Sequence, residues 1–232
     1  MIVEFFGLPG VGKSTLAAAL VRALRSEGDP VSCPTSMIGP DVSPALRYLR
    51  KSTRIGTTTL RVPAASLRLL RGIADSGQET MTHVGKRWGD FMLAQALLSQ
   101  APSAGSVVLD QGIMQAIWSI GLRGNLARPL EALRSTVGVW SLPDRVIVVE
   151  APLDHVVERL RSRTSKHSRV QGSGMSMTSE LARARGLMSR VLAEASSLGL
   201  GSDSMITIEN PDHSSPEDLV SRIPPLLTNG RS

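Results

Sequence analysis

The stretch that most limits what this chain can become is Gly7-Leu8-Pro9-Gly10-Val11-Gly12-Lys13-Ser14-Thr15. It has the G-x-x-x-x-G-K-S spacing of a P-loop, and its surroundings suit one. The apolar run Ile2 to Phe6 reads as a buried strand, and Leu16, Leu20 and Leu24 recur every four residues as one face of a helix. Each residue type has a task. Gly7, Gly10 and Gly12 let the backbone curl and bring its N–H groups against phosphate oxygens. Lys13 carries an ammonium on a flexible stem, the Ser14 hydroxyl suits Mg²⁺, and the helix starting there turns its positive end to the anion. A glycine turn that merely joined strand to helix would not need Lys-Ser. The spacing predicts a nucleoside triphosphate site inside an α/β fold.

The rest of the chain alternates strand and helix. The first helix ends near Gly28, and Val31 to Cys33 is a weak second strand. Residues 34 to 45 have the composition of an ordered loop. From Pro44 to about Ser76 the pattern is helical and basic, with Arg47, Arg50 and Arg54 on one face and Lys51, Arg61, Arg68 and Arg71 beside them. That is either a solvated face or an acceptor site for an anionic substrate. A helix over His83 to Gln100 follows, in which Trp88 reads as core and Arg87 and Gln95 as lesser polar candidates.

Gly105-Ser-Val-Val-Leu-Asp110-Gln-Gly112 is a compact apolar strand ending in an acid. Beside a P-loop, an Asp there holds magnesium or accepts the proton of a substrate hydroxyl. Ile113 to Ile120 reads as a helix carrying Gln115, and Gly121 to Pro129 as a loop bearing Arg123 and Arg128. Arg145 to Glu150 does not alternate, so it reads as a strand buried on both faces. Pro152 suits the first position of the next helix, on which Arg159 and Arg163 stand one above the other. Thr164 to Gly174 is polar, basic and glycine-bearing, the composition of a flap able to neutralise charge on a transferring phosphoryl group. A helix from Thr178 to Ser197, a strand from Ser204 to Ile208 and a helix capped at Ser215-Pro216 complete the chain. The prediction is a doubly wound parallel sheet of about five strands, in one domain spanning residues 1–232.

Composition removes several classes. The net charge of +6 and pI near 10.4 fit either nucleic-acid binding or a site for polyphosphates. Aromatic residues are only 3% of the chain, too few for the stacking platforms of single-strand binders, which favours the polyphosphate reading. The single cysteine, Cys33, excludes an internal disulfide and fits a cytoplasmic location. The opening strand leaves no room for a signal peptide, and no apolar run is long enough to span a bilayer. Nucleic acid and membrane are therefore not expected as partners, and a homodimer is left open.

The chain resembles the nucleoside monophosphate kinases, thymidylate kinase above all. The likeness rests on Gly7 to Thr15, Val107-Val-Leu-Asp110, Glu158-Arg159-Leu-Arg-Ser-Arg163, Ser168-Arg169-Val170 and the Ile206-Thr-Ile-Glu-Asn210 strand, in that order. The resemblance implies a three-layer P-loop fold with strand order 2-3-1-4-5 and a lid at about residues 164–177. It further implies that Lys13 and the loop amides bind ATP phosphates and that Ser14 and Asp110 serve Mg²⁺. Arg159 and Arg163 would clamp ATP, Arg169 would meet the transferring group, and the backbone at Asn210 would lie near the adenine. Gln111 stands where thymidylate kinases have an Arg that helps hold the acceptor, and Gln171-Gly172 where related lids have paired Asp. Both departures fall on the acceptor or lid side.

The expected function is transfer of the γ-phosphoryl group of ATP to a small acceptor: a nucleotide, a nucleoside or another hydroxyl compound. Two alternatives stand beside it, a nucleotide-dependent switch without turnover and an end kinase of nucleic acid.

Overall fold

The computed structural model describes residues 1–34, 44–99, 105–162, 176–211 and 215–223, except for the side chains of residues 44–48. Its strands are β1 (Ile2–Gly7), β2 (Val31–Ser32), β3 (Ser106–Leu109), β4 (Arg145–Glu150) and β5 (Met205–Glu209). They form one parallel sheet in the order β2-β3-β1-β4-β5, the topology the resemblance implied. The helices are α1 (Lys13–Ser26), α2 (Pro44–Arg61), α3 (Pro63–Ala74), α4 (Met81–Ser99) and α5 (Ile113–Gly121). After them come α6 (Ala127–Arg134), α7 (Leu153–Arg161), α8 (Met177–Glu194) and α9 (Pro216–Val220).

Successive residues of a strand point to opposite faces of the sheet. Val3, Glu4, Phe5 and Phe6 are all buried, as are Val146 to Val149, so helices cover the sheet on both sides. α1 packs on α9, α4 on both α3 and α5, and α7 on α8. The apolar face read from Leu16, Leu20 and Leu24 is buried as expected. A parallel sheet built this way gathers its loops at the carboxyl ends of the strands, where ligands bind. β1 lies between β3 and β4, so the turns after β1 and β3 emerge side by side.

Several boundaries differ from the sequence reading, each for a local reason. The basic helical stretch is two helices, broken at Val62 (φ −132°), because Pro63 disfavours helical backbone in the residue before it and opens α3 instead. Pro152 sits one position earlier than expected, as the flanking residue, and the helix begins at Leu153. The stretch read as a loop through Pro129 already enters α6 at Ala127, where a proline in the first turn breaks no helical hydrogen bond. α8 ends at Glu194 and is followed by a short 3₁₀ turn at Ser196–Leu198. Ser215 caps α9 as expected, its hydroxyl accepting from the Asp218 N–H at 3.0 Å, and Ser176 caps α8 in the same manner through Ser179. Ser176 thus caps α8 and Met177 opens it, while residues 164–175 of the expected lid lie outside the described residues.

Candidate active site

Unlike α8 and α9, α1 has no side-chain cap. Its flanking residue is Gly12, and no acidic residue stands in its first turn. The opening N–H groups of a fourteen-residue helix are therefore available to an anion rather than to a hydroxyl of the chain. Gly12 holds a left-handed φ of 96°, and a Cβ there would stand 2.6 Å from Asn210 Nδ2. That amide donates to Val11 O at 2.7 Å, while the Asn210 backbone N–H donates to Glu150 O at 2.8 Å. Asn210 thus ties the end of β5 to the loop through its side chain. Across the same loop the Lys13 ammonium donates to Gly7 O at 2.7 Å and Leu8 O at 2.9 Å, on a side chain only 9% exposed. On its other side, Leu160 of α7 lies 3.1 Å from the position a Cβ would take at Gly10. α7, which carries Arg159, therefore runs beside the loop. Arg163 and Arg169 lie outside the described residues.

Ser14 Oγ donates to Asp110 Oδ2 at 2.9 Å. The two residues expected to work together, one after β1 and one after β3, do meet. A hydroxyl and a carboxylate side by side are hard oxygen donors of the kind Mg²⁺ takes, together with oxygens from bound phosphates. Among the described residues there is no group of three or more His, Cys, Asp or Glu that could hold a metal ion.

Beneath Asp110 lies a residue that the sequence reading passed over. Glu4, in the middle of β1, is fully buried and accepts hydrogen bonds from the N–H groups of Ile113 (2.9 Å) and Gln115 (3.2 Å) at the start of α5. A Cβ on Gly112 would come within 2.5 Å of the Glu4 carboxyl carbon. Gly112 has a negative φ of −134°, so what the glycine supplies there is room for the Glu4 carboxyl. The signal was available: one charge inside an otherwise apolar strand.

Burial pushes the Glu4 carboxyl from about 4.5 up to about 7, against the backbone N–H groups that pull it down. A raised carboxylate pKa favours the folded chain only while the group is protonated. Below about pH 4.5 the proton is held in both states and nothing is lost. Between 4.5 and 7 the unfolded chain gives up its proton first, so stability falls by about 3 kcal/mol, and above 7 the loss is complete. Urea unfolding of the wild type at pH 5 and pH 8 should show that fall, and Glu4→Gln should remove most of it. An equal fall in both proteins would refute the assignment.

Beside Asp110 opens a cavity of about 420 Å³, within the range of small-ligand sites. Asp110, Gln111 and Gln115 line it from the β3–α5 side, and Lys51 and Lys86 from α2 and α4. From the basic stretch it is thus Lys51 that reaches the cavity, while Arg50, Arg61, Arg68 and Arg71 are exposed elsewhere and the side chain of Arg47 is outside the described set. The lesser candidates have structural tasks. Gln95 exchanges two hydrogen bonds with the backbone of Ser141, Arg87 pairs with Asp90, Trp88 donates to Ser66, Arg123 pairs with Glu79 and Arg128 with Glu131. No described helix is long and apolar enough to cross a membrane.

Comparison with known proteins places this geometry. Residues 2–185 match the family model described as AAA domain. Among solved structures, a deoxyadenosine kinase from M. mycoides with bound dATP gives a TM-score of 0.55 at 11% identity, covering 96% of this chain and 96% of that one. The same enzyme with the products dCMP and a flexible dCDP gives 0.53 at 10% identity, covering 100% of both chains. At such identities the likeness is one of fold. No curated protein matches the chain.

Proposed function

The chain belongs to the AAA domain family, and from that premise we propose that it is an ATP-dependent phosphotransferase acting on a small molecule. The observation that carries the reading is the 2.9 Å bond between Ser14 and Asp110 at the mouth of the 420 Å³ cavity. It sets the phosphate loop beside a cavity that Asp110 also lines, with room for a second reactant. The kinase folds seen in the comparison structures support the same reading.

In this account the uncapped start of α1 and Lys13 bind the ATP phosphates. Ser14 and Asp110 hold Mg²⁺, which when bound supplies positive charge to the outer phosphates. Asp110 also faces the acceptor and takes its proton. Arg159, with Arg163 and Arg169, neutralises charge that spreads over the phosphoryl group in transfer. Phosphoryl transfer needs positioning and charge rather than a covalent nucleophile, and this set of residues offers both. The backbone at Asn210 borders the adenine while its side chain shapes the loop.

The test is ADP formation by the full chain with Mg-ATP, with and without a panel of nucleosides, nucleotides and small alcohols. Acceptor-dependent turnover with a phosphorylated product is expected. Tight ATP binding without turnover on any acceptor would instead establish a switch. Product on oligonucleotide ends alone would establish an end kinase.

A further inference from the structure

The identity of the acceptor rests on the phosphotransferase reading, and the lopsided chemistry of the cavity narrows it. On the β3–α5 side the groups call for hydrogen-bond donors. The Asp110 carboxyl group supplies acceptor oxygens. Gln115 Oε1 is buried with no hydrogen-bond partner among the described residues, on a cavity-lining side chain that is 9% exposed. A buried amide oxygen is rarely left unpaired in a native fold; this one is closed off as it stands, and a ligand O–H or N–H satisfies it once the amide turns toward the cavity.

The opposite wall calls for the reverse. Lys51, half-buried on α2, and Lys86, exposed on α4, both line the cavity, and neither has a carboxylate partner among the described residues. Asp90, the carboxylate on that wall, is paired with Arg87 at 3.3 Å. Lys86 and Leu97 both line the cavity from one face of α4, eleven residues or roughly 16 Å apart. The space is therefore long enough to separate two unlike ends of one molecule.

We propose that the acceptor is a small compound with a hydroxyl at one end and a carboxylate or phosphate at the other. The hydroxyl meets Asp110, a second O–H or an N–H donates to Gln115 Oε1, and the anionic end lies on Lys51 and Lys86. An accepting phosphate is disfavoured at Asp110 by its repulsion from the carboxylate. The neutral Gln111 beside it adds no cation to offset that repulsion. In the step itself the hydroxyl oxygen bonds to the γ-phosphorus of ATP, and the bond from that phosphorus to the bridging oxygen breaks. ADP leaves with the electron pair, and the hydroxyl proton passes to Asp110 and then to water. Gln115 is a positioning residue.

The experiment uses matched acceptors with and without the anion: glycerate, glycerol 3-phosphate and glycerol, then pantothenate and pantothenol, with deoxyadenosine and thymidine as nucleosides. Charged members should exceed their neutral partners at least tenfold in kcat/KM, and the glycerol set tells carboxylate from phosphate. Lys51→Gln should raise KM for the charged acceptor about tenfold with kcat within twofold, abolishing the preference. Gln115→Leu should lower kcat/KM tenfold or more while the KM for ATP stays unchanged, with thermal melts confirming that both variants fold. Equal use of neutral members, or turnover of nucleosides alone, overturns the proposal and leaves phosphotransfer standing. ATP binding with no turnover on any member overturns phosphotransfer itself, and the acceptor assignment with it.

Discussion

Asp110→Asn is expected to lower acceptor-dependent ADP formation about 10²- to 10⁴-fold, the range for loss of a positioned general base. The substitution keeps the size of the side chain and can keep a hydrogen bond to Ser14, which now lies 2.9 Å away. What it removes is the charge that takes the acceptor proton and helps hold the metal. The two tasks separate in the measurements. If the base matters most, kcat falls while the Kd of ATP in Mg²⁺ changes by less than tenfold. If metal holding matters most, higher Mg²⁺ restores part of the rate. Activity within threefold of wild type at ordinary Mg²⁺ would remove Asp110 from the chemistry. Thermal stability should hardly move, since the residue stands at the cavity mouth rather than in the core.

Lys13→Met is expected to cost about 10²- to 10³-fold in turnover, as for removal of one aligned charge donor, and to weaken ATP binding as well. Methionine matches the stem but not the ammonium. In the resting loop that ammonium serves the carbonyls of Gly7 and Leu8, so the variant also leaves buried acceptors without a donor, at a cost of about 1–3 kcal/mol. Calorimetric titration and a melting curve check both consequences. Weakened ATP binding with no drop in melting temperature would mean that the two carbonyl bonds carry no weight in the fold. Unchanged ATP affinity would sink the assignment of the loop itself.

Much of the fold was legible because its signals are local. The P-loop is a matter of fixed spacing, and β3, β4 and, apart from Glu4, β1 hold apolar runs of the kind a covered parallel sheet requires. Helix breaks were legible only where the rule is strict. Pro63 carried the information that ended α2, yet the long basic pattern on either side masked it. Pro129 misled in the other direction, since proline is harmless in a first turn.

The site divides along the same line. Ser14 and Asp110 follow strands that lie side by side, so their meeting followed from topology. Glu4, Gln115 and Lys86 did not stand out, because each matters through a partner far away in sequence. Glu4 is bonded to residues 109 and 111 positions onward, and nothing near it announces this. Gln115 becomes notable only when its oxygen proves to be buried and unpaired. Asn210 was expected near the adenine through its backbone, and its side-chain amide braces Val11.

That brace has a consequence for how the protein is made. The Gly7–Thr15 stretch is made well before the side chain that braces it, which follows Val11 by 199 residues. β1 likewise waits for β4 before its second edge is paired. At about 5–20 residues per second, a nascent chain spends roughly 10–40 s with a complete loop sequence and no tether. Contacts so distant along the chain close late and slowly. A chain released before residue 210 thus carries every residue of the loop without the amide that holds its shape.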